Sequence, residues 1–296
     1  MYFGLSEDQE FFKDNVSKFL QDHAPLDVIK KIIEDDEHDL KNNIKNGLVN
    51  LGINSLLIPE EYGGLGLDLL FATAVSQSLG ENIAPFSFLS CYVMAPIALI
   101  NLGHTEQKEK YLKGILGNKY KFGVGFSEFI SARNDFGFIF KDNKINGKSI
   151  FILDADDVSH LLLADENGVI GVVDTSDKNI EIIKLTTVDK TRSYSEVVFK
   201  NASIDVLENS ITDIEPTKKS IDAGRIILAA DSLGASEALI RKAVAYSKER
   251  KQFGRAIGSF QAVKHMCAEM ASDLEPCYSL VWHAAHCFDN IPNESR

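Results

Sequence analysis

The sequence predicts an α+β fold in which a helical N-terminal domain, a middle β domain and a C-terminal helical domain follow one another. Apolar residues recur at helical spacing up to about residue 118, whereas short segments with a period of two begin at about residue 119. From about residue 213 the helical spacing returns and persists for many turns. We therefore predict domains at residues 1–118, 119–212 and 213–296.

The first domain opens with a helix whose start is marked in the sequence. Ser6 and Gln9 have the spacing of a capping box, in which each side chain bonds the backbone N–H of the other residue. The apolar stripe that follows predicts one buried face. It comprises Phe11, Phe12, Val16, Phe19 and Leu20.

Two more helices of the first domain have candidate caps. Asp68 precedes an apolar helical pattern that begins at Leu69, and Thr105 precedes another that ends near Gly117. The glycine-rich stretch at 58–68 predicts a loop between helices. Its neighbouring carboxylates, Glu60 and Glu61, have the chemistry of acid–base groups, but adjacent carboxylates on a loop are usually solvated.

The middle domain consists of short segments rich in β-branched and aromatic residues, separated by Asn, Asp and Gly turns. We expect these strands to form a compact, barrel-like β domain. The predicted strands are 121–126, 136–140, 145–153, 160–164, 169–173, 180–183 and 195–199.

The third domain begins near Pro216, a residue that suits a first helical turn, and continues as a long amphipathic pattern through Tyr246. Alanines and Gly234 within it predict close packing of helices. A second helix follows the turn at 250–261, and we interpret its apolar stripe as core rather than as a cofactor contact. The stripe comprises Phe260, Val263, Met266, Cys267, Met270 and Leu274.

The turn between these two helices has the chemistry of a phosphate site. The guanidinium of Arg250 can hold two phosphate oxygens, and Lys248, Lys251 and Arg255 raise the local positive potential. Gly258 and Ser259 lead into a helix whose first backbone N–H groups attract anions, and the Gln261 amide lies in its first turn. An alternative stays open, because cations at a helix end followed by a Gly-Ser cap are also ordinary helix punctuation.

Composition excludes several classes of function. The chain has 296 residues, of which 25% are charged, and a formal net charge of −12, which disfavours nucleic acid and anionic membranes as partners. No segment resembles a signal peptide or a membrane span, and the four cysteines have no paired spacing. We expect a cytoplasmic protein with free thiols.

The sequence gives little support for a metal site or for a catalytic nucleophile. His283, His286 and Cys287 have helical spacing, but a zinc site needs three or four protein ligands and no partner motif accompanies them. The sequence also lacks a Gly-x-Ser-x-Gly elbow, a P-loop and a complete Gly-x-Gly-x-x-Gly fingerprint. We therefore predict no metal site and no nucleophile.

The basic turn resembles the flavin-binding signature of the acyl-CoA dehydrogenase family. The similarity covers Arg-Lys-Gln-Phe-Gly from Arg250, then Ile257, Ser-Phe-Gln up to Gln261, and residues near His265. The loop at 58–68 is similar to a second family segment. The resemblance implies an FAD cofactor. It implies that Arg250 and the glutamines grip the pyrophosphate and that a phenylalanine packs on the cofactor, typically that of a neighbouring subunit. The matching residues are Arg250, Gln252, Phe253 and Gln261.

Two segments of the middle domain resemble the family's flavin-facing strands but depart from them. In the stretch at 146–153, Phe151 takes the place of the usual tryptophan, and Leu153 replaces a threonine that bonds the flavin ring. In the stretch at 124–134, Ser127 and Glu128 match, and the resemblance makes Phe126 and Ser127 candidate cofactor contacts. The family's proline and small-residue loop are replaced at 129–134, and Arg133 takes the position of a serine that helps hold the CoA arm.

A fifth segment is similar to the family stretch on which the CoA thioester chain lies. It comprises Asp222, Ala223, Gly224 and Arg225, and the resemblance implies an acyl-CoA substrate. The implied reaction removes a proton beside the thioester and passes a hydride from the next carbon to the flavin. The family's catalytic glutamate usually lies in later helices, and its alternative position aligns with Gly224, which has no side chain. We therefore assign no catalytic residue.

The resemblance also implies partners. The family's last domain is a four-helix bundle, and this sequence ends after about two of those helices, so we expect an incomplete bundle whose apolar face belongs to a shortened chain or lies against another subunit. A flavoprotein-type electron acceptor and a homo- or hetero-oligomer are implied as well. Two hypotheses remain: a flavin-dependent acyl-CoA dehydrogenase whose base lies outside this chain, and a catalytically silent subunit kept for assembly.

Overall fold

A computed structural model describes residues 4–35, 37–130 and 137–291 of the chain. These residues group into two compact units. The first comprises Met1–Leu48, Leu69–Ala84 and Ile226–Arg296, and the second comprises Val49–Asp68 and Pro85–Arg225. The division falls inside one long helix, and the three sequence-based domain boundaries stay a prediction.

Helices dominate both ends of the chain and strands its middle. The N-terminal helices are α1 (Glu7–His23), α2 (Leu26–Asp35), α3 (His38–Asn50), α4 (Leu69–Glu81), α5 (Ala95–Leu102) and α6 (Thr105–Leu116). The strands that follow are β1 (Phe122–Gly125), β2 (Gly137–Lys141), β3 (Lys144–Leu153), β4 (His160–Ala164), β5 (Ile170–Asp174), β6 (Ile180–Lys184), β7 (Tyr194–Ser203) and β8 (Asp205–Val206). The last elements are α7 (Asn209–Thr212), α8 (Glu215–Glu249), β9 (Lys251–Gln252), β10 (Arg255–Ala256) and α9 (Gln261–Asn290).

The helix starts test the predicted caps. The capping box at α1 is confirmed, because the Gln9 N–H donates to Ser6 Oγ at 3.3 Å and the Ser6 N–H donates to Gln9 Oε1 at 2.9 Å. At α6 the prediction was wrong by one residue: the cap is His104, and Thr105 is the first helical residue. The His104 imidazole accepts from the Gln107 N–H at 3.4 Å, so it caps the helix in place of the predicted threonine hydroxyl.

Close helix packing in the first unit depends on two glycines. A Cβ on Gly234 of α8 would lie 1.9 Å from the carbonyl oxygen of Gln77 on α4, and one on Gly80 would lie 1.9 Å from that of Asp231. The two backbones therefore approach more closely than any side chain would allow. The predicted small-residue contact is confirmed.

Replacing Gly234 with Ala should destabilise the protein by about 1–3 kcal/mol, because the clash is with backbone that cannot swing aside. Helix propensity alone favours Ala over Gly by about 0.5–1 kcal/mol. A net loss of stability can therefore be attributed to the clash between α8 and α4. The free energy of unfolding in urea measures it. Gly137→Ala is the control, since a Cβ there meets nothing within 4 Å. Equal stability of both variants would contradict the close approach of α8 and α4.

The second unit is built on an eight-stranded sheet with the order β6-β7-β3-β1-β4-β5-β8, and β2 pairs with β3 beside this path. β1 and β4 are parallel, and the other pairs are antiparallel. All predicted strands are present. The domain expected to be barrel-like is an open mixed sheet: among the described residues no pairing joins its end strands, β6 and β8.

A cluster of buried hydrophobic side chains forms the core beside the sheet. Its fully buried members include Ile145, Ile152, Leu161, Leu163, Val173 and Val197. Within the described ranges no helix has both the length and the hydropathy needed to cross a membrane. None of the four cysteines, all of which lie in the described ranges, forms a disulfide bond.

The apolar stripe of α9 is not core, contrary to the sequence prediction. The side chains of Met266 and Met270 are 63% and 36% exposed, and Val263 and Cys267 are only partly buried. Helical periodicity identifies an apolar face but not whether a neighbour covers it. Only the far end of α9 is buried, at Ala285, Cys287 and Phe288.

Candidate functional site

The basic turn of the first unit is a small β-hairpin. Gln252 pairs with Arg255 across it, and Phe253 and Gly254 form its tip with positive φ angles of 51° and 75°. A two-residue turn with both φ angles positive suits the twist of a hairpin, but it is unfavourable for a phenylalanine. The Phe253 side chain is 92% exposed, so the hairpin presents an aromatic ring to its surroundings.

Arg250 stands out among the arginines of the described residues. The side chains of Arg192, Arg225, Arg241 and Arg255 contact a carbonyl, a carboxylate or an aromatic ring. Arg250 is exposed, and within the same ranges its guanidinium has no ion pair, side-chain hydrogen bond or ring contact. Its fork is therefore available to a ligand.

The helix start beside the hairpin is open as well. α9 begins at Gln261 with Phe260 at the cap position, and among the described residues no side chain caps its first N–H groups. The Ser259 hydroxyl donates instead to the Ala256 carbonyl at 2.7 Å, beside a single 3₁₀ turn at Ile257–Ser259. Ser259 is therefore not the helix cap, and the uncapped N–H groups and the exposed Gln261 have the chemistry of an anion site.

The candidate flavin-facing residues of the second unit lie where β1 ends. Phe126 and Ser127 are buried, at 6% and 8% exposure. The Ser127 hydroxyl donates to the carbonyl of Ile150 at 2.6 Å and lies 3.0 Å from Glu128 Oε2. This hydroxyl is therefore engaged inside the protein. Ser131, Ala132, Arg133 and Asn134, where the sequence departs from the family loop, lie outside the described residues.

The partner strand β3 carries a bulge at Phe151. Ser149 pairs with Val197 and Ile152 with Ser195, so three steps along β3 match two along β7. Phe151 has a φ angle of 59°, and its side chain is 45% exposed. Leu153, opposite Val124 of β1, is half-buried and offers no hydroxyl. The aromatic position is thus presented outward, and the strand lacks the polar group expected beside it.

Glu128 is a half-buried carboxyl beside these residues. Burial raises its pKa above the ordinary value, and hydrogen bonds from Ser149, Ser127 and the backbone oppose that rise. Its Oε1 is buried and has no hydrogen-bond partner among the described residues. The resemblance matched this residue but gave no hint of its surroundings.

The candidate substrate segment lies in the third turn of α8. Ala223 is fully buried, and the buried Asp222 accepts from Arg225 Nη1 at 3.1 Å while the Arg225 side chain is 71% exposed. A Cβ on Gly224 would lie 2.8 Å from Sδ of Met94. Met94 ends a π-helical turn at Phe88–Met94, and its carbonyl accepts from the Ser220 hydroxyl at 2.9 Å. Sequence reasoning missed Met94, because no local pattern relates two segments so distant in the chain.

Other candidate groups do not form sites. Glu60 and Glu61 are exposed on a 3₁₀ turn, which favours the solvated interpretation. No cluster of three or more metal-ligating side chains occurs within the part of the chain that the structure describes. Cys287 Sγ lies 3.4 Å from His283 Nε2, within hydrogen-bond distance for sulfur, and the cysteine is fully buried.

The residues present fit the cofactor that the resemblance implies. The free Arg250 fork and the uncapped start of α9 suit a pyrophosphate, and the exposed rings of Phe253 and Phe151 suit an aromatic system. The fit is weaker for hydrogen bonding to the flavin ring, because Leu153 has no polar atom and the Ser127 hydroxyl is occupied.

Comparisons with known proteins match both ends of the chain to one family. Residues 6–119 match the family described as acyl-CoA dehydrogenase, N-terminal domain, and residues 214–296 match acyl-CoA dehydrogenase, C-terminal domain. The chain is 30% identical to the short-chain-specific acyl-CoA dehydrogenase of Clostridium acetobutylicum, over 97% of this chain and 80% of that protein. It is 27% identical to subunit CarC of the caffeyl-CoA reductase-Etf complex of Acetobacterium woodii, over 95% and 80%.

A solved structure shares the fold. The ChsE4-ChsE5 complex of Mycobacterium tuberculosis contains a chain that superposes with a TM-score of 0.86 at 20% identity, covering 99% of this chain and 80% of that one.

Proposed function

The chain belongs to the acyl-CoA dehydrogenase family, and on that premise we propose that it is an FAD-binding oxidoreductase subunit acting on the CH–CH bond of an acyl-CoA thioester. The observation that carries this proposal is the free guanidinium of Arg250 beside an uncapped helix start. A guanidinium that is free to form two parallel hydrogen bonds beside backbone N–H groups suits a pyrophosphate.

The chain's own residues would divide the binding of FAD between them. Arg250 and the first turn of α9, with Gln261, would hold the pyrophosphate, and Gln252 would add an amide. Phe253 would pack on the cofactor of a neighbouring subunit. Phe126, Ser127, Phe151 and Leu153 would form the face toward the flavin ring. Bound FAD would supply the acceptor for the hydride.

The segment at 222–225 would bind the substrate. Arg225 keeps guanidinium N–H groups exposed beyond its bond to Asp222, and these suit an anionic group of CoA. Ala223 and Gly224 leave the helix surface free of long side chains beside the thioester.

The catalytic base would come from outside these 296 residues. Removal of the α-proton needs a carboxylate within hydrogen-bond reach. Gly224 has no side chain, and the space into which one would point contains Met94. A partner chain or further sequence would supply the carboxylate. CarC of Acetobacterium woodii is named as a subunit of a complex that includes an electron-transfer flavoprotein, which favours a hetero-oligomer and an acceptor of that type for this chain too.

A second function is favoured by two specific observations. Leu153 and the inward Ser127 hydroxyl leave the flavin-facing strands without free hydroxyls, as expected of a subunit that binds FAD but does not react. Such a subunit would serve assembly with an active partner.

The test is to purify the chain alone and with co-purifying partners, measure its FAD content, and add acyl-CoA without oxygen. We expect bound FAD in both preparations and loss of flavin absorbance only with the partner. Absence of FAD from both would refute the cofactor assignment. Bleaching confined to the partner's own flavin, with the FAD of this chain left oxidised, would favour the silent subunit.

A further inference from the structure

The backbone of Phe151 is held in a conformation that its own side chain does not favour. A φ angle of 59° costs a bulky residue of this kind energy, and such residues persist only where the surroundings over-determine them. The ring itself is 45% exposed, so its burial does not supply the constraint. The constraint must act on the residues beside it.

Both preceding residues are tied to the end of β1. The Ser127 hydroxyl binds the Ile150 carbonyl at 2.6 Å, and the Ser149 hydroxyl donates to Glu128 Oε2 at 3.0 Å. Ser127 Oγ lies 3.0 Å from the same carboxyl oxygen. Ser149 is completely buried, so these bonds are shielded from water. The ties replace the ladder contacts that the bulge removes between Ser149 and Ile152.

Glu128 Oε2 is the acceptor that links the two serines. The Ser149 hydroxyl donates to it at 3.0 Å, and the Ser127 hydroxyl lies at the same distance while its one hydrogen also serves the Ile150 carbonyl at 2.6 Å. One carboxyl oxygen therefore contacts both hydroxyls that hold the residues before Phe151.

We propose that Glu128 is a positioning residue that acts through Ser127 and Ser149 to hold the β3 bulge and keep the Phe151 ring presented outward. The cofactor part of this inference rests on the proposed function, since it makes the ring a packing surface for FAD. The geometric part stands without the cofactor.

The geometric part is tested with a reporter at the bulge. In a chain carrying Trp282→Phe and Phe151→Trp, position 151 holds the only tryptophan, because the sequence has one. Glu128→Leu should change its emission maximum and its quenching by acrylamide, whereas Glu128→Gln should leave both unchanged. Glutamine keeps an oxygen that can accept from both serines. An unchanged reporter in Glu128→Leu would overturn the proposal, and an equal change in Glu128→Gln would show that the acceptor oxygen is not what holds the bulge.

The cofactor part is tested by a double-mutant cycle on FAD affinity in the chain with native Phe151 and Trp282. We expect Phe151→Ala and Glu128→Leu each to weaken FAD binding by about 2- to 10-fold, the loss expected when one packed aromatic contact is removed. If Glu128 acts through the ring, the double variant should be no worse than either single variant. If the losses of FAD affinity multiply in the double variant, Glu128 affects FAD binding independently of the Phe151 ring. A wild-type chain that binds no FAD would refute the proposed function, while the reporter result still decides the geometric part.

Discussion

Placing a carboxylate at position 224 while shortening Met94 is expected to give the isolated chain a dehydrogenase activity that the unmodified chain lacks. General-base catalysis typically contributes about 10²–10⁴-fold, and the resemblance identifies position 224 as one at which some family members carry their base. Met94→Ala/Gly224→Glu should therefore speed the bleaching of bound flavin by an acyl-CoA by about that factor.

The second substitution follows from the geometry. A Cβ at position 224 would lie 2.8 Å from Met94 Sδ and 3.2 Å from Met94 Cγ, and Met94 is itself buried. Gly224→Glu alone should gain much less than the double variant, because its side chain has to displace the thioether before it can point toward a substrate.

The matched control is Met94→Ala/Gly224→Gln, which has nearly the same shape but cannot accept the proton as a carboxylate does. Single-turnover absorbance of the flavin under anaerobic conditions compares the variants directly. Equal rates for Glu and Gln would show that position 224 does not reach the α-carbon. Rapid bleaching of the unmodified, isolated chain would mean that another of its own residues is the base.

The contrast between Gly224 and the strands shows what sequence patterns can predict here. The strands were predicted to within about two residues at most ends, because alternation and turn residues are local properties. The Ser6 capping box was equally accessible, since both partners lie in one turn. That Met94 fills the space beside Gly224 depends on two distant segments, and no local pattern contains it.

Two misjudged features have a common physical origin. The stripe from Phe260 to Leu274 has the period of a buried helix face, yet Met266 is 63% exposed. Periodicity reports which residues share a face, and burial depends on what lies against that face. The bulge at Phe151 was hidden for a similar reason, because nothing in the chemistry of phenylalanine predicts a left-handed backbone there. It results from hydrogen bonds made by Ser127 and Ser149.

At the candidate cofactor site, the resemblance to a family gave more specific predictions than helical periodicity did. It identified Arg250 and Gln261, and the structure adds that the guanidinium is exposed without a partner in the described ranges and that α9 starts uncapped. It did not anticipate that Ser127 would be engaged by Ile150, since a hydroxyl at a matching position looks the same in sequence whether it faces a ligand or the protein.

Arg250→Ala is expected to weaken FAD binding by about 100-fold. A bidentate contact supplies two charge-assisted hydrogen bonds, each contributing roughly 1.5–3 kcal/mol, and solvent at an exposed site reduces the sum. Arg250→Lys keeps the charge but loses the fork, so it should lie between the wild type and Ala. Fluorescence titration of FAD at several salt concentrations measures both the affinity and its ionic part, and the salt dependence itself should become shallower in Arg250→Ala as a phosphate contact is lost.

The controls separate this site from general electrostatics and from the fold. Lys242→Ala removes one positive charge from an exposed position on α8 away from the hairpin, and it should change FAD affinity little. If the hairpin acts on the cofactor of a neighbouring subunit, FAD affinity should also fall when the protein is diluted below its association midpoint, in the wild type and in Lys242→Ala alike. Affinity that is unchanged in Arg250→Ala would refute the pyrophosphate assignment. Affinity that is independent of protein concentration would refute only its placement across an interface, because a single chain would then hold the cofactor with its own Arg250.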